Sequence, residues 1–296
     1  MELFRALACL VEPPRTESAR VADALGLGAL PLADEYTKTF VFQLYPYASV
    51  YLGAEGMLGG EARDRVAGFW RALGLVPPAE ADHLSVMLAL YARLCELEED
   101  ANDARAREGW RAARKAFLWE HLLSWLPAYL SKLEEIATDF YRRWGALLKD
   151  ALAAEALTVG QQESLALHLR EAPGLVDPRE GSTEDFLRSL LAPARSGIIL
   201  VRADFSRAAR ELDAGTRLGE RRFVLQTLFE QDARGVLSWL GQEAERWAAR
   251  LRLERASFGA VARAWEAKAE STSRLLAELK ATLEEDSRAG EEFADA

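Results

Sequence analysis

Cysteine, histidine and lysine are all scarce in this 296-residue chain: two, three and six residues respectively. Cys9 and Cys95 give no disulfide framework and fit a reducing compartment. His83, His121 and His168 stand far apart in sequence, which leaves little material for a zinc site or a Cys–His dyad, and no metal is expected. None of the six lysines follows a glycine, so the glycine-rich stretch Gly53, Gly56, Gly59 and Gly60 is no P-loop. Neither a Gly-x-Ser-x-Gly elbow nor a His-Glu-x-x-His helix occurs. No run reaches the roughly 18 apolar residues that a membrane span needs. The start, Met-Glu-Leu-Phe-Arg, has no basic region before an apolar run, so no secretory signal is expected and the expected location is the cytoplasm. These absences argue against catalysis, and no catalytic residue is assigned.

What the chain has is apolar residues and acid. Half of it is hydrophobic, enough for a sizeable core, and 37 Lys+Arg against 47 Asp+Glu leave a formal charge of −10. That balance disfavours non-specific nucleic-acid binding and favours basic partners. The apolar periodicity is helical almost throughout. Leu84, Met87, Leu88, Tyr91 and Leu94 form one stripe; Trp110, Ala113, Phe117, His121 and Trp125 form the next, which Pro127 breaks or kinks. Leu133, Ile136, Ala137, Phe140, Trp144, Leu147 and Leu148 mark a third, and Val66, Phe69, Trp70 and Leu73 lie on a helix between Gly59-Gly60 and Gly74. Thr39–Tyr45 and Ile198–Val201 are strand-like, although buried helix segments explain them equally well. The fold class is all-α.

Three parts are expected: 1–157, with a hinge near 77–84; a helical extension over 158–253; and an amphipathic helix with an acidic tail over 254–296. A turn cluster over Ala172–Thr183 separates the halves. Ser182 with Asp185 predicts a capping box for a short helix, Glu184–Leu191, which Pro193 ends. A helical block over Arg202–Leu253 comes next, then one amphipathic helix carrying Phe258, Val261, Trp265, Leu275, Leu276, Leu279 and Leu283. Its expected role is docking on the preceding block or self-association, since no heptad is sustained. Glu284–Ala296, with six acids and one arginine, is expected to fray.

Two short segments carry the functional signal. In Tyr45-Pro46-Tyr47-Ala48-Ser49-Val50-Tyr51, three tyrosines alternate with small residues after an apolar run. Tyrosine offers contact area at low entropy cost, which suits a peptide-binding surface; by composition alone, tyrosines plugging the core explain it better. In Pro77-Pro78-Ala79-Glu80-Ala81-Asp82-His83, prolines stiffen a connection and acids crowd a helix start. Asp82 reads as the N-cap with His83 exposed in the first turn, and compatibly the loop reads as a pH-sensitive hinge whose carboxylates receive an arginine-bearing ligand. The run Leu94–Ala104 is either an acidic lip or a solvated helix end. His121, between Phe117 and Trp125, reads first as a core histidine.

Taken in order, these segments resemble the TorD/DmsD/NarJ family of molybdoenzyme maturation chaperones. The resemblance runs from Glu35-Tyr36 through Tyr45–Tyr51, Gly56–Gly60, Phe69-Trp70 and Glu80-Ala-Asp-His83 to Phe117–Pro127 and Leu133–Leu148. Ala81 stands where the family's Glu-Pro-Asp-His pattern has proline. The resemblance implies a TorD-like helical fold with a hinge at or near Glu80–His83, plus an additional C-terminal helical region. It also implies a non-catalytic role, in which the chain holds an apo molybdopterin oxidoreductase catalytic subunit, or its twin-arginine leader, until cofactor insertion and before export. Guanine nucleotide near the hinge is a lesser implied ligand; no other cofactor is expected. A twin-arginine leader is a basic segment followed by an apolar helix-former, which suits an acidic body with an aromatic groove. The peptide-binding candidates are Tyr45, Pro46, Tyr47, Ser49, Tyr51, Glu80, Asp82, His83, His121 and Trp125, with Tyr47 and Tyr51 lining the groove and Glu80 and Asp82 facing arginines. Monomer and homodimer both remain open.

Two rivals stand beside this reading. Asp204–Leu212, a turn at Gly215 and Glu220–Leu228 match a helix-turn-helix regulator with Arg202, Arg207, Arg210, Arg217, Arg221 and Arg222 as its basic face; four local acids and the overall charge oppose it. The other is a small-molecule or nucleotide-binding helical protein centred on the hinge.

Overall fold

The computed structural model describes residues 2–162, 164–215 and 219–294, with side chains through Arg288. Among the described residues the regular structure is helical, and strand pairing is limited to a single isolated bridge, Tyr47 with His83. The first helix, Glu2–Leu10, lays Phe4 and Leu7 against Leu84–Glu99, where Phe4 meets Tyr91 edge-on at 4.9 Å. The long helix Asp139–Val159 closes this group, and Trp144 Nε1 donates to the Leu7 carbonyl at 3.1 Å.

Several boundaries differ from the sequence reading, each for a local reason. The stripe through Trp125 is a helix, Ala104–Phe117, followed by a π-helical turn, Leu118–Leu122; Pro127 then occupies the first turn of a new helix, Leu126–Ile136, where its missing N–H costs nothing. The third stripe splits at Ala137, which is extended (ψ 154°), with Thr138 at the N-cap of Asp139–Val159. Thr37–Val41 is a second π-helical turn, and Ile198–Val201 is buried without regular structure. Ser182 caps Thr183–Leu190 by accepting from Asp185 N at 3.0 Å, as expected, whereas Pro193 opens the short helix Pro193–Ser196 rather than ending its predecessor. The acidic end is helical through Ala294, contrary to the expected fraying; 295–296 lie outside the described residues.

The extension packs as helices Arg202–Glu211, Arg221–Leu253 and Arg255–Ala294, the last two forming a long hairpin. It shares one continuous core with the first half. Trp265 Nε1 donates to the Ser124 carbonyl at 2.8 Å, and Thr272 Oγ1 to the Ser196 carbonyl at 2.7 Å. Gly197 is left-handed (φ +73°), and a Cβ there would lie 2.3 Å from Ala269 N, so only glycine permits this approach. A buried ionic seam completes the joint. Lys132, fully buried, donates to Asp204 at 2.7 Å and Glu135 at 3.1 Å; Arg207 bridges Asp204 (3.2 Å) to buried Glu243 (2.6 Å).

Candidate functional site

The two motif segments meet, and their backbones fix one another. The Leu84 amide donates to the Pro46 carbonyl at 2.8 Å, and the Ala48 amide to the Asp82 carbonyl at 3.0 Å. Asp82, 2% exposed, does not cap its own helix: its Oδ2 accepts from Ser49 N at 3.1 Å and so caps Ala48–Leu52, thirty-three residues upstream. This corrects both assignments made for it, since a buried carboxylate committed to that helix start is not placed to face a ligand arginine. The cap of Leu84–Glu99 is His83, whose Nδ1 accepts from Ser85 N at 3.3 Å. His83 is buried rather than exposed, with its ring edge-on to Tyr47 at 4.7 Å. Burial holds its pKa below the ordinary value, against the opposing pull of Glu12, Glu80 and Asp82.

Other sequence candidates form the support. Ser49 is fully buried and accepts from Gly59 N at 3.0 Å. Pro46 is buried; Tyr45 is half-buried, and its carbonyl accepts from the Tyr51 hydroxyl at 2.8 Å. Tyr51 does not line a groove: it is 1% exposed and stacked flat on Trp125 at 5.2 Å. Trp125 is likewise buried and donates to the His121 carbonyl. His121 lies between Phe69 and Phe117, its Nδ1 without a hydrogen-bond partner, and burial with His168 and Arg65 nearby pushes its pKa down to about 3. These side chains hold the turn from behind.

What reaches the surface is a smaller set, in part unforeseen. Tyr47 is half-buried, and its hydroxyl donates to exposed Glu80 at 3.1 Å. Tyr36, positioned against Phe40 at 5.4 Å, stands close enough that Glu12 and Glu80, after burial, raise its pKa. Ser85 Oγ sits between His83 Nδ1, at 2.7 Å, and the Glu12 carboxylate. This order differs from a catalytic triad, where histidine stands between hydroxyl and acid. Among the described residues no lysine or arginine pairs with Glu12 or Glu80, and Glu12 is 43% exposed. Two tyrosines and two carboxylates without a lysine or arginine partner thus lie around this turn, groups of the kind that can engage a guanidinium through charge-assisted hydrogen bonds and ring faces. Glu12 carries no signal in its own segment, and Tyr36 entered only as the start of the resemblance, with no role assigned; the fold brings both here.

Elsewhere the candidate surfaces are partly paired. In the run Leu94–Ala104, Glu96 pairs with Arg5 and Arg93 and Glu98 with Arg114, while Glu99 and Asp100 are exposed and Asp103 caps the next helix by accepting from Ala106 N, an arrangement that suits the solvated helix end. The arginines of the helix-turn-helix alternative do not form one basic face. Arg207 is in the ionic seam, Arg221 donates to the Leu200 carbonyl, Arg222 pairs with Glu184 and Arg202 lies over the Phe42 ring; Arg217 is outside the described residues. A cleft of about 460 Å³ separates Thr39, Gln43 and Thr138 from Asp204 and Arg207, whose charges are already paired within the seam. Among the described residues there is no group of three His, Cys, Asp or Glu able to hold a metal, and no helix is long and apolar enough to cross a membrane.

Residues 12–131 match the family described as nitrate reductase delta subunit, in line with the resemblance read from the motifs over that segment. Among individual proteins, the chain is 31% identical over 111 residues to a Vibrio vulnificus protein named chaperone protein TorD, covering 36% of this chain and 52% of that one. A selenate reductase assembly chaperone of Thauera selenatis is 39% identical over 83 residues (27% and 42% of the two chains), and a chlorate reductase assembly chaperone of Ideonella dechloratans 34% over 82 residues (27% and 42%). The chain spans about half the length of the curated relatives it matches.

Proposed function

We propose that this chain is a non-catalytic assembly chaperone for a molybdopterin-containing oxidoreductase. It holds the apo catalytic subunit, by an arginine-bearing apolar segment such as a twin-arginine leader, until the cofactor is inserted and before export. The observation that supports this reading is the pair of carboxylates Glu12 and Glu80, without a lysine or arginine partner among the described residues, near Tyr36 and Tyr47 within the segment that matches the family model. The relatives' names, which refer to selenate and chlorate reductase assembly, support a reductase client. The net charge of −10 attracts a basic segment from a distance and so raises the encounter rate, while ring and carboxylate contacts set the lifetime.

In this reading the protein works in the cytoplasm, binds no nucleic acid and needs no cofactor of its own. Guanine nucleotide then leaves its melting temperature unchanged, because only a ligand that binds the folded state raises it. The test is to recover the tagged full chain from its own cells and identify what accompanies it by mass spectrometry. Co-purification of an apo molybdopterin oxidoreductase is expected. Turnover of a metabolite by the purified chain, with no molybdoenzyme attached, overturns the reading.

A further inference from the structure

Ser85 has one hydroxyl proton and two acceptors within reach of it. Its Oγ lies 2.7 Å from His83 Nδ1 and donates to the Glu12 carboxylate, while Nδ1 already accepts from the Ser85 amide at 3.3 Å. An ionised carboxylate only accepts and a serine donates once, so with His83 neutral the cluster is one donor short. His83 and Ser85 are 6% and 7% exposed, and little water reaches their side to make up the difference. Glu12 is open on its outer side, and among the described residues no lysine or arginine pairs with it.

Two additions supply the missing donor. A proton on Nδ1 makes an imidazolium that donates to Ser85 Oγ, which donates in turn to Glu12, whose Oε1 is 3.6 Å from Nδ1. That state gives up the acceptor that caps Leu84–Glu99 and puts a positive charge at the helix N-terminus. The other addition is a guanidinium on the exposed side of Glu12. Its N–H groups satisfy the carboxylate, and Ser85 is then free to turn its proton to Nδ1 with the cap intact. The remaining groups around the ring have partners of their own. Tyr47, edge-on at 4.7 Å, gives its hydroxyl to Glu80, and Asp82 accepts from the Ser49 amide. Glu12, Glu80 and Asp82 favour the charged ring, no acid stands in the first turn of the helix that follows, and burial outweighs all three carboxylates.

We propose that Ser85 is a positioning residue that turns its proton between Glu12 and His83, so that a guanidinium on Glu12 and a proton on His83 exclude one another. The inference rests on the chaperone reading and deepens it by naming a regulator of the same site: acid releases the arginine-bearing segment while Glu12 is still ionised. Affinity is then independent of pH well above the His83 midpoint, about half at that midpoint, and lower by a factor approaching about ten for each further unit below it.

The His83 ring of the full chain is titrated by NMR, alone and with a synthetic peptide of an arginine pair followed by an alanine–leucine run. At about ten times its dissociation constant the peptide is expected to lower the His83 midpoint by about one unit. Ser85→Ala removes the hydroxyl and is expected to cut that shift to less than half, whereas Ser85→Thr keeps the hydroxyl and restores it. Should Ser85→Ala not fold, His83→Asn, which retains a capping side chain, decides the matter. Its calorimetric affinity is expected to fall less than that of the wild type between about pH 7.5 and 5.5, a range in which carboxylates stay largely ionised. A peptide that binds without moving the His83 midpoint, an equal shift in folded Ser85→Ala, or an equal acid loss in His83→Asn overturns this inference alone. So does a ring that does not titrate above about pH 4.3, where glutamate itself discharges. Absence of arginine-dependent binding in every form, judged against the same peptide carrying glutamine for both arginines, overturns the chaperone reading and this inference with it.

Discussion

Replacing Lys132 tests whether the extension is an integral part of the fold. Its ammonium is fully buried on the Leu126–Ile136 helix of the first half, and its partner Asp204, 2% exposed, lies at the start of the extension's Arg202–Glu211 helix. Removing one member of such a pair leaves the other charge buried, at a cost of about 3–5 kcal/mol. Asp204 keeps Arg207 at 3.2 Å and the Val201 amide at 2.8 Å, which places Lys132→Ala towards the lower end of that range. At roughly 2.1 cal/mol/K per residue, 296 residues carry an unfolding entropy of about 0.6 kcal/mol/K, so the melting temperature falls by about 5 °C or more. Urea unfolding followed by circular dichroism and by tryptophan fluorescence measures the loss. Because the seam joins the halves, both probes are expected to move together. Lys132→Met with Asp204→Asn removes both charges and keeps a group that caps Val201, so it recovers most of the stability. A loss below about 1 kcal/mol for Lys132→Ala, or a double variant as unstable as the single, refutes the assignment of this pair as a buried coupled clamp.

Two further outcomes concern stability. His121 titrates near 3 in the folded chain against about 6.5 when exposed, so below pH 6.5 the unfolded state binds the extra proton; its stabilisation is complete above that pH and is lost towards pH 3, at up to about 1.4 kcal/mol per unit. Urea midpoints between pH 7 and 4 should fall less steeply in His121→Asn, and an unchanged slope contradicts the assignment. Gly197→Ala forces a Cβ onto the Ala269 amide from a left-handed backbone, and thermal unfolding should show a loss of about 1–3 kcal/mol or more; a neutral result rules out the close approach.

The parts of this fold that were legible in the sequence are those decided locally. Leu84–Glu99 follows from its stripe, Gly60–Ala72 from its flanking glycines, and Thr183–Leu190 from Ser182 and Asp185. Pro127 marked a boundary, but a proline breaks the helix before it as readily as it starts the next, and sequence alone did not choose. The site was half legible. Tyr47, Glu80 and His83 came from two motifs that the fold brings together. Asp82 was given the wrong helix because a capping side chain is assigned by sequence distance, and its true partner, Ser49, is thirty-three residues away. Tyr51 and Trp125 are interior because they stack on each other across the chain, a fact that no single stripe contains. Glu12 could not be found by motif, and Tyr36 opened the resemblance without a role, since each matters only through neighbours contributed by other helices.

The most direct measurement is calorimetric titration of Glu12→Gln/Glu80→Gln with a synthetic peptide in which an arginine pair precedes an apolar run, beside the wild type and at two salt concentrations. Both residues are surface groups, so the variant keeps its circular dichroism spectrum and melting temperature within a few degrees. Affinity is expected to weaken by about tenfold or more, since at least one charge-assisted contact worth about 1.5–3 kcal/mol is lost, with a smaller salt dependence than that of the wild type. A folded double variant that binds the peptide as tightly as the wild type contradicts it.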